Sequence, residues 1–224
     1  MNKKIIEPVA LIKTGFKEKF GIPRQSGRAP STMGEITLLG KYNNPDAVRE
    51  IENFSHLWLI FGFSLNPETQ TLSVRPPRLG GNKKVGVFAT RSPFRPNGLG
   101  LSSVKLERVD VCNGVKLIVS GVDLVDGTPI YDIKPYIPHS DKIEDAVGGF
   151  SDEFIDYKLK VIMPNSLTST PSKEILTQIV ECLEDDPRPS YHNDDREYGF
   201  TYQDYNVKFK VDGKTLNIID IINT

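Results

Sequence analysis

Apolar and polar side chains alternate along much of the chain, and this period of two predicts β-strands. The segment YKLKVIM (157–163) places apolar side chains on one face and lysines on the other, and NVKFKV (206–211) and residues 99–109 repeat the pattern. The segment SHLWLIFGFSL (55–65) is apolar almost throughout, which predicts a strand buried on both faces. Glycine-containing turns recur between these segments. The pattern therefore predicts a mainly β protein, an antiparallel barrel or sandwich.

Two other segments carry apolar residues at helical spacing. NNPDAVREIENF offers Asn44 as an N-cap and Pro45 at the first helical position. TPSKEILTQIVECLEDD offers Thr170 or Ser172 as its cap and has one apolar stripe. The sequence thus predicts one or two helices beside the strands.

A change of composition divides the chain. The stretch MPNSLTSTPSK (163–173) is rich in Pro, Ser and Thr, which predicts a boundary between domains. We expect residues 1–165 to form the β domain and residues 170–224 to form a small C-terminal α+β domain. The latter would contain the second helix and a hairpin that turns at Asp212-Gly213.

The bulk composition restricts the protein class. Hydrophobic residues make up 38% and charged residues 25%, and the formal net charge is −1, which argues against disorder and against a globally basic nucleic-acid binder. A local basic face remains compatible with that charge. No apolar run reaches the ~20 residues of a membrane-spanning helix, and Glu7 and Pro8 interrupt the only apolar stretch near the N-terminus.

Cysteine and histidine are sparse. Cys112 and Cys182 lie far apart and follow no disulfide or metal-binding pattern, which favours a cytoplasmic protein with structural cysteines. The three histidines are not at metal-ligand spacing, so we predict no metal site. His56 would be a core histidine, or a member of a Ser-His-Asp triad for which no GxSxG motif is present.

Two loops rich in Pro and Gly concentrate positive charge. The segments RPPRLGGNKK and TRSPFRPNG together contain Arg75, Arg78, Lys83, Lys84, Arg91 and Arg95. Arginines in isolation are usually solvated surface residues. If the flanking strands are adjacent, however, these cations cluster on one rim, where they would suit phosphates or a carboxylate.

Two further motifs are less specific. Gly98-Leu99-Gly100 lacks the third glycine and the following helix of a dinucleotide-binding fingerprint, so we expect the glycines to shape a tight loop. DLVDGTPIYDIKPY contains Asp123, Asp126 and Asp132, and Asp126-Gly127 is first of all a turn signal. The residues alone indicate a β protein with a cationic, loop-built site for an anionic small molecule or nucleic acid.

Several motifs occur together in one order. They are TGFKEKFGIPRQSG (14–27), FSHLWLIF (54–61), RPPRLGGN (75–82), GVFATRSPFRPNGLGLS (86–102), DLVDGTPIYDIKPYIP (123–138) and DPRPSY (186–191). This set resembles the TsaA-like family of β-barrel tRNA methyltransferases, in its longer bacterial form with a C-terminal domain. One departure is Gly98, where the family pattern usually has Pro. Because glycine accepts the backbone angles of proline, we expect function to be retained.

The resemblance implies a reaction and its partners. Members of the family use S-adenosylmethionine to methylate N6 of the adenosine at position 37 of tRNA, beside the anticodon, and in bacteria this base already carries a threonylcarbamoyl group. They are homodimers with the cofactor close to the subunit interface. The fold implied is an antiparallel β-barrel. The alternative function is a non-catalytic barrel that binds S-adenosylmethionine or tRNA.

The resemblance also implies the site residues. It assigns cofactor contacts to Pro23, Arg24, Gln25, His56, Leu57, Arg91, Leu101, Asp126, Gly127 and Thr128, with Asp123 and Tyr131 as supports. Asp126 and His56 are the candidates for accepting a proton from the target nitrogen. Arg91 or Arg95 would hold the threonyl carboxylate. The tRNA would contact Arg75, Arg78, Lys83, Lys84 and Arg95.

Overall fold

The computed structural model describes residues 4–66, 71–189 and 196–224. Its strands are β1 (Ala10–Thr14), β2 (Met33–Leu38), β3 (His56–Gly62), β4 (Ser73–Val74), β5 (Val85–Gly86), β6 (Leu99–Asp110), β7 (Lys116–Ser120), β8 (Thr128–Pro135), β9 (Lys160–Ile162), β10 (Tyr198–Tyr202), β11 (Tyr205–Asp212) and β12 (Thr215–Asn223). Its α-helices are α1 (Pro138–Asp141) and α2 (Lys173–Glu184). Within these described ranges, neither helix has the length and apolarity required to cross a bilayer.

Six strands close into an antiparallel barrel in the order β1-β2-β7-β6-β3-β8. Alternate side chains point inward, as the period of two predicts. The barrel core includes Ile12, Ile36, Leu57, Leu59, Leu117 and Ile130, each at most 1% exposed. The predicted mainly β, antiparallel barrel architecture is confirmed.

Strand β3 is buried less completely than its sequence suggests. Leu57, Leu59 and Phe61 point into the barrel, whereas Trp58 and Ile60 on the other face are only half-buried. The expectation of burial on both faces is therefore wrong, because a barrel has its core on one side of each strand. Strand β3 pairs with β6, and on the outer face of this pair Ile60 lies opposite Leu101.

The segment from Asn44 to Phe54 is not an α-helix, so this prediction is wrong. It forms two short 3-10 turns, Pro45–Val48 and Ile51–Asn53, separated by Glu50 with a φ of 66°. The predicted cap is present, since the Asn44 side chain accepts from the Asp46 N–H at 3.0 Å. Only Val48 is buried, and without a buried stripe a helix of three turns gains too little packing to persist.

The C-terminal unit packs α2 against a sheet of order β10-β11-β12-β9. The predicted α2 is confirmed, with Ser172 as the cap that accepts from the Ile175 N–H. The predicted hairpin is also present, with Asp212 opposite Thr215 and a φ of 55° at Gly213. Strand β9 pairs in parallel with β12. The boundary expected between residues 165 and 170 stays a prediction, and this pairing favours a division before Lys160.

The two units share a packed interface. The backbone N–H of Gln203 donates to the Gly15 carbonyl at 2.7 Å, and the rings of Phe16 and Tyr202 meet edge to face with centroids 5.1 Å apart. On α2, the Glu181 carboxylate accepts from the backbone N–H and the hydroxyl of Ser31, at 2.8 and 2.9 Å. The C-terminal unit therefore holds the long connection between β1 and β2.

Candidate active site

A cavity of about 710 Å³ lies at the end of the barrel where β3 meets β6. Its apolar wall includes Ile60, Phe61, Phe63, Leu99 and Leu101, and its charged groups include Lys19, Arg24, Arg91, Arg95 and Asp123. Pockets of ~300–1,000 Å³ with apolar walls and a few polar groups are typical of small-molecule sites. Gly100 permits this packing, because a Cβ there would lie 2.3 Å from the Phe61 ring.

One side of the cavity is formed by residues 87–98, here called the Arg91 loop. The Thr90 hydroxyl donates to the Val87 carbonyl at 2.9 Å, and Arg95 donates back to the Thr90 carbonyl at 2.9 Å. The Phe94 N–H donates to the Ser92 hydroxyl at 3.2 Å. These local bonds and the prolines make the loop rigid, and they use the Arg95 guanidinium to hold the loop together.

The Arg91 loop enters β6 through two residues in the left-handed region. Asn97 and Gly98 have φ values of 64° and 56°, and the Gly98 N–H donates to the Arg95 carbonyl at 3.2 Å. Proline fixes φ near −65° and has no N–H, so it cannot take this conformation. The premise that Gly98 adopts the backbone angles of proline is therefore wrong for this chain.

The facing side of the cavity is formed by residues 22–28, here called the Gln25 loop. Its Gln25 side chain accepts a hydrogen bond from Nη1 of Arg91, so the two loops meet directly. Pro23 and Arg24 line the cavity beside this contact.

Asp123 is the most unusual group in the cavity wall. It lies between Val122 and Leu124, which are 1% and 2% exposed. Among the residues that the structure describes, its Oδ1 is the one buried side-chain polar atom without a hydrogen-bond partner. Burial raises the pKa of Asp123 to about 6, although the Ser102 hydroxyl and the charge of Arg91 oppose the rise. A carboxyl with these properties can gain and lose a proton near neutral pH.

Asp185, in the C-terminal unit, binds the Gln25 loop. This residue is 3% exposed. Its Oδ2 accepts from the backbone N–H of Arg24 at 2.9 Å, and its Oδ1 accepts from Arg28 Nε at 2.7 Å. Arg78 Nη2 lies 3.4 Å from the same Oδ1. Burial, followed by the charge of Arg24, lowers the pKa of Arg78. One buried carboxylate thus joins the C-terminal unit to two loops of the barrel.

The motif around Asp186 continues this junction. Arg188 pairs with both oxygens of Asp186, at 2.9 and 3.1 Å, and the Tyr157 hydroxyl donates to Oδ2 of the same residue at 2.9 Å. The carbonyls of Asp186 and Arg188 accept from the Arg24 guanidinium. The C-terminal motif DPRPSY, of which residues 186–189 are described, therefore supports Arg24 from outside the barrel.

The structure brings many of the predicted site residues together. Those that line the cavity are Pro23, Arg24, Gln25, Arg91, Arg95, Leu101, Asp123 and Thr128. Arg75 and Arg78 line an adjoining cavity of about 1,170 Å³, which shares Arg24, Gln25, Thr90 and Arg91 with the first. Lys83 and Lys84 are exposed and line neither cavity.

Four of the predicted cofactor contacts lie outside both cavity walls. Asp126 accepts from the Thr14 N–H and from Lys17, both at 2.9 Å. Burial opposes the effect, but these bonds lower the pKa of Asp126 below its ordinary value. Gly127 is exposed beside it. His56 is exposed at the opposite end of β3, where its Nδ1 shares a hydrogen bond with the Ser55 hydroxyl. Leu57 is in the barrel core.

Sequence reasoning undervalued Asp123 and missed Asp185. The sequence around Asp123 does not predict its burial, since an acid between two apolar residues in GVDLV fits a period of two that would place it on the exposed face. Asp185 ends α2 in a run of acids that resembles a solvated helix end. No local signal distinguishes it, because its arginine partners are 107 to 161 residues away in the chain.

Comparison with known proteins identifies two family models. Residues 11–142 match the tRNA-methyltransferase O N-terminal domain, and residues 158–224 match the TrmO C-terminal domain. The two matches cover most of the chain and leave a gap between α1 and β9.

Similar proteins agree with these models. The chain is 43% identical to a tRNA (adenine(37)-N6)-methyltransferase of Escherichia coli, over 94% of each chain. It is 39% identical to a putative S-adenosylmethionine-dependent methyltransferase, RcsF, of Pseudomonas aeruginosa, over 90% of each. A crystal structure of TrmO from Pseudomonas aeruginosa superimposes with a TM-score of 0.81 at 31% identity, covering 99% of this chain and 100% of that one.

Proposed function

The chain belongs to the tRNA-methyltransferase O family, and from that premise we propose that it methylates N6 of a threonylcarbamoyladenosine at position 37 of tRNA, with S-adenosylmethionine as the methyl donor. Its enzyme class is that of tRNA (adenine-37 N6)-methyltransferases. The observation that carries this proposal is that the Arg91 loop lines the same cavity as Asp123, whose Oδ1 is buried without a hydrogen-bond partner.

The cavity suits S-adenosylmethionine in size and in residue types. The apolar wall around Phe61, Phe63 and Leu101 can cover a purine. The unpaired Oδ1 of Asp123 can accept from an N–H or hydroxyl donor. When bound, the cofactor supplies a methyl group made electrophilic by its sulfonium. The chain must then bind, align and desolvate the target nitrogen, which is a positioning task.

The target nitrogen is a weak nucleophile, because its lone pair is delocalised into the purine and the urea of the threonylcarbamoyl group. Attack requires loss of its proton, and a carboxylate within hydrogen-bond reach assists that step. We assign this role to Asp123, in place of Asp126 and His56. Asp126 is engaged by Lys17 away from the cavity, and His56 lies at the far end of β3.

The threonyl carboxylate is assigned to Arg91. One guanidinium nitrogen of Arg95 donates to the Thr90 carbonyl, within its own loop. Arg91 is exposed in the cavity wall, and its contact with Gln25 fixes the plane of its guanidinium. A fixed, accessible guanidinium is well suited to bind a carboxylate through two parallel hydrogen bonds.

The remaining features are proposals that rest on the family resemblance. They are a homodimer with the cofactor near the interface, contact with the anticodon loop, and action in the cytoplasm. Leu101 is 53% exposed at the cavity edge, so a second copy packed there would both bury it and cover the cavity.

The proposal is tested by methyl transfer to two forms of one tRNA. Threonine-accepting tRNA purified from cells that lack this protein would carry the threonylcarbamoyl group without the methyl, whereas the same tRNA made by transcription carries neither. We expect radiolabelled methyl to enter the purified tRNA ~10- to 100-fold faster, since one charge-assisted contact contributes ~1.5–3 kcal/mol. Equal rates would contradict the threonylcarbamoyl requirement. Binding of both tRNAs without transfer to either would favour the non-catalytic barrel.

A further inference from the structure

The second cavity, of about 1,170 Å³, adjoins the first through Arg24, Gln25, Thr90 and Arg91. It lies between the Arg91 loop, the segment around β4 and residues 148–155. A molecule that reaches the first cavity from solvent can therefore extend into the second. The substrate of the proposed function is a nucleotide within a longer chain, so its neighbours need surfaces on the enzyme.

Four phenylalanines line this cavity: Phe88, Phe94, Phe150 and Phe154. Phe88 is 79% exposed and Phe94 43% exposed. Phe88 is directed outward by the 3-10 turn Val87–Ala89, in which the preceding Val87 is 2% exposed and anchors the turn. A rigidly held, solvent-facing aromatic ring at a cavity wall offers a flat surface for stacking a base.

Five arginines line the same cavity: Arg24, Arg28, Arg75, Arg78 and Arg91. None of the lining residues that the structure describes is acidic. Arg28 and Arg78 are fixed by Asp185, and the Arg78 guanidinium lies over the Phe154 ring at 5.0 Å. Arg75 is exposed at the rim. Aromatic rings interleaved with arginines match the two parts of a nucleotide, because bases stack on rings and phosphates pair with guanidinium groups.

We propose that this second cavity binds an anticodon-loop nucleotide adjacent to position 37, with its base stacked on Phe88 and its phosphate paired with Arg75. The inference rests on the proposed function and names the substrate contact that orients the target base. It assigns a role to Phe88, which the sequence patterns did not single out. Stacking holds the neighbour in place, so the target base can be turned into the first cavity without losing the rest of the loop.

The test combines protein and RNA changes. The substrates are synthetic anticodon stem-loops with threonylcarbamoyladenosine at position 37 and a single abasic residue on one side of it or the other. Phe88→Ala should raise the KM for the intact stem-loop about 5- to 100-fold and leave the KM for S-adenosylmethionine within twofold. Phe88→Tyr should restore the KM. At one of the two positions, the abasic residue should raise the KM of the wild type for the stem-loop by a similar factor. The same abasic residue should raise the KM of Phe88→Ala by no more than twofold.

Phe54→Ala is the matched control, because Phe54 is 38% exposed and lines neither cavity. It should behave as the wild type with every substrate. The proposal would be overturned if, at both positions, the abasic residue raised the KM of the wild type and of Phe88→Ala by the same factor. It would also be overturned by a Phe88→Ala variant that is impaired only because it no longer associates with a second copy, as seen by light scattering. If the wild type transfers no methyl, the proposed function fails, and stem-loop binding by fluorescence anisotropy still decides whether Phe88 contacts RNA.

Discussion

Asp185 offers a direct test of whether the C-terminal unit helps to form the cofactor site. Its carboxylate accepts from the Arg24 backbone N–H at 2.9 Å and from Arg28 at 2.7 Å, and it faces Arg78 at 3.4 Å. Asp185→Ala would leave two guanidinium groups without their shared counter-charge. We therefore expect the variant to lose both stability and the geometry of the Gln25 loop.

The magnitude follows from burial. Removing one partner of a buried ion pair costs about 3–5 kcal/mol. The side chains of Arg28 and Arg78 keep 22% and 20% of their exposure, so water compensates in part and we expect the lower end, about 3 kcal/mol. Asp185→Asn keeps an acceptor but loses the charge, and it should cost about half as much. Urea denaturation of each variant measures these values.

The kinetic readout separates positioning from stability. Because Asp185 holds the backbone at Arg24, we expect the KM for S-adenosylmethionine to rise about tenfold, equivalent to ~1.4 kcal/mol, while kcat changes less. Glu181→Ala is the control, since it breaks two bonds to Ser31 across the same interface but not at the cavity. It should lose stability with an unchanged KM. If Asp185→Ala is destabilised but has the wild-type KM, the C-terminal unit does not position the site.

Four further predictions follow from the site. With the pKa of Asp123 raised from 3.8 to about 6, the methylation rate should rise with pH through about 6 as the carboxylate loses its proton. The free energy of unfolding should decrease as the pH rises from about 4 to 6, because Asp123 ionises first in the unfolded chain. Rate and urea-denaturation profiles of Asp123→Asn should lack both trends. Arg91→Ala should lower kcat/KM about 10- to 100-fold with an unchanged melting temperature, and near-wild-type turnover would exclude it from the site. Gly98→Pro should cost about 3 kcal/mol and Gly98→Ala about 1, measured by denaturation, and equal costs would contradict the positive φ. Charge reversal at Lys83 and Lys84 should make the plot of log binding constant against log salt concentration shallower by the equivalent of about one to two phosphate contacts, ~0.7–0.9 each. An unchanged slope would mean that the tRNA does not contact these lysines.

The sequence by itself determined the features that depend on neighbouring residues. Alternation of side chains located β6 of the barrel and β9 and β11 of the C-terminal sheet, because a strand needs one apolar face and a period of two provides it. Ser172 and the stripe that follows it defined α2. The ordered motifs identified the family, and they contain eight predicted residues of the first cavity wall, including Gln25, Arg91 and Thr128.

Only the tertiary structure decided the properties that depend on distant partners. Closure of the barrel left β3 buried on one face, and lack of a docking surface kept residues 44–54 from forming a helix. Burial in the folded chain raises the pKa of Asp123. Asp185 joins the two units because the fold places it against Arg24 of the Gln25 loop, 161 residues away in the chain. The physical reason is that local patterns specify which face of an element is apolar, whereas desolvation and ion pairing depend on what the folded chain places against that face.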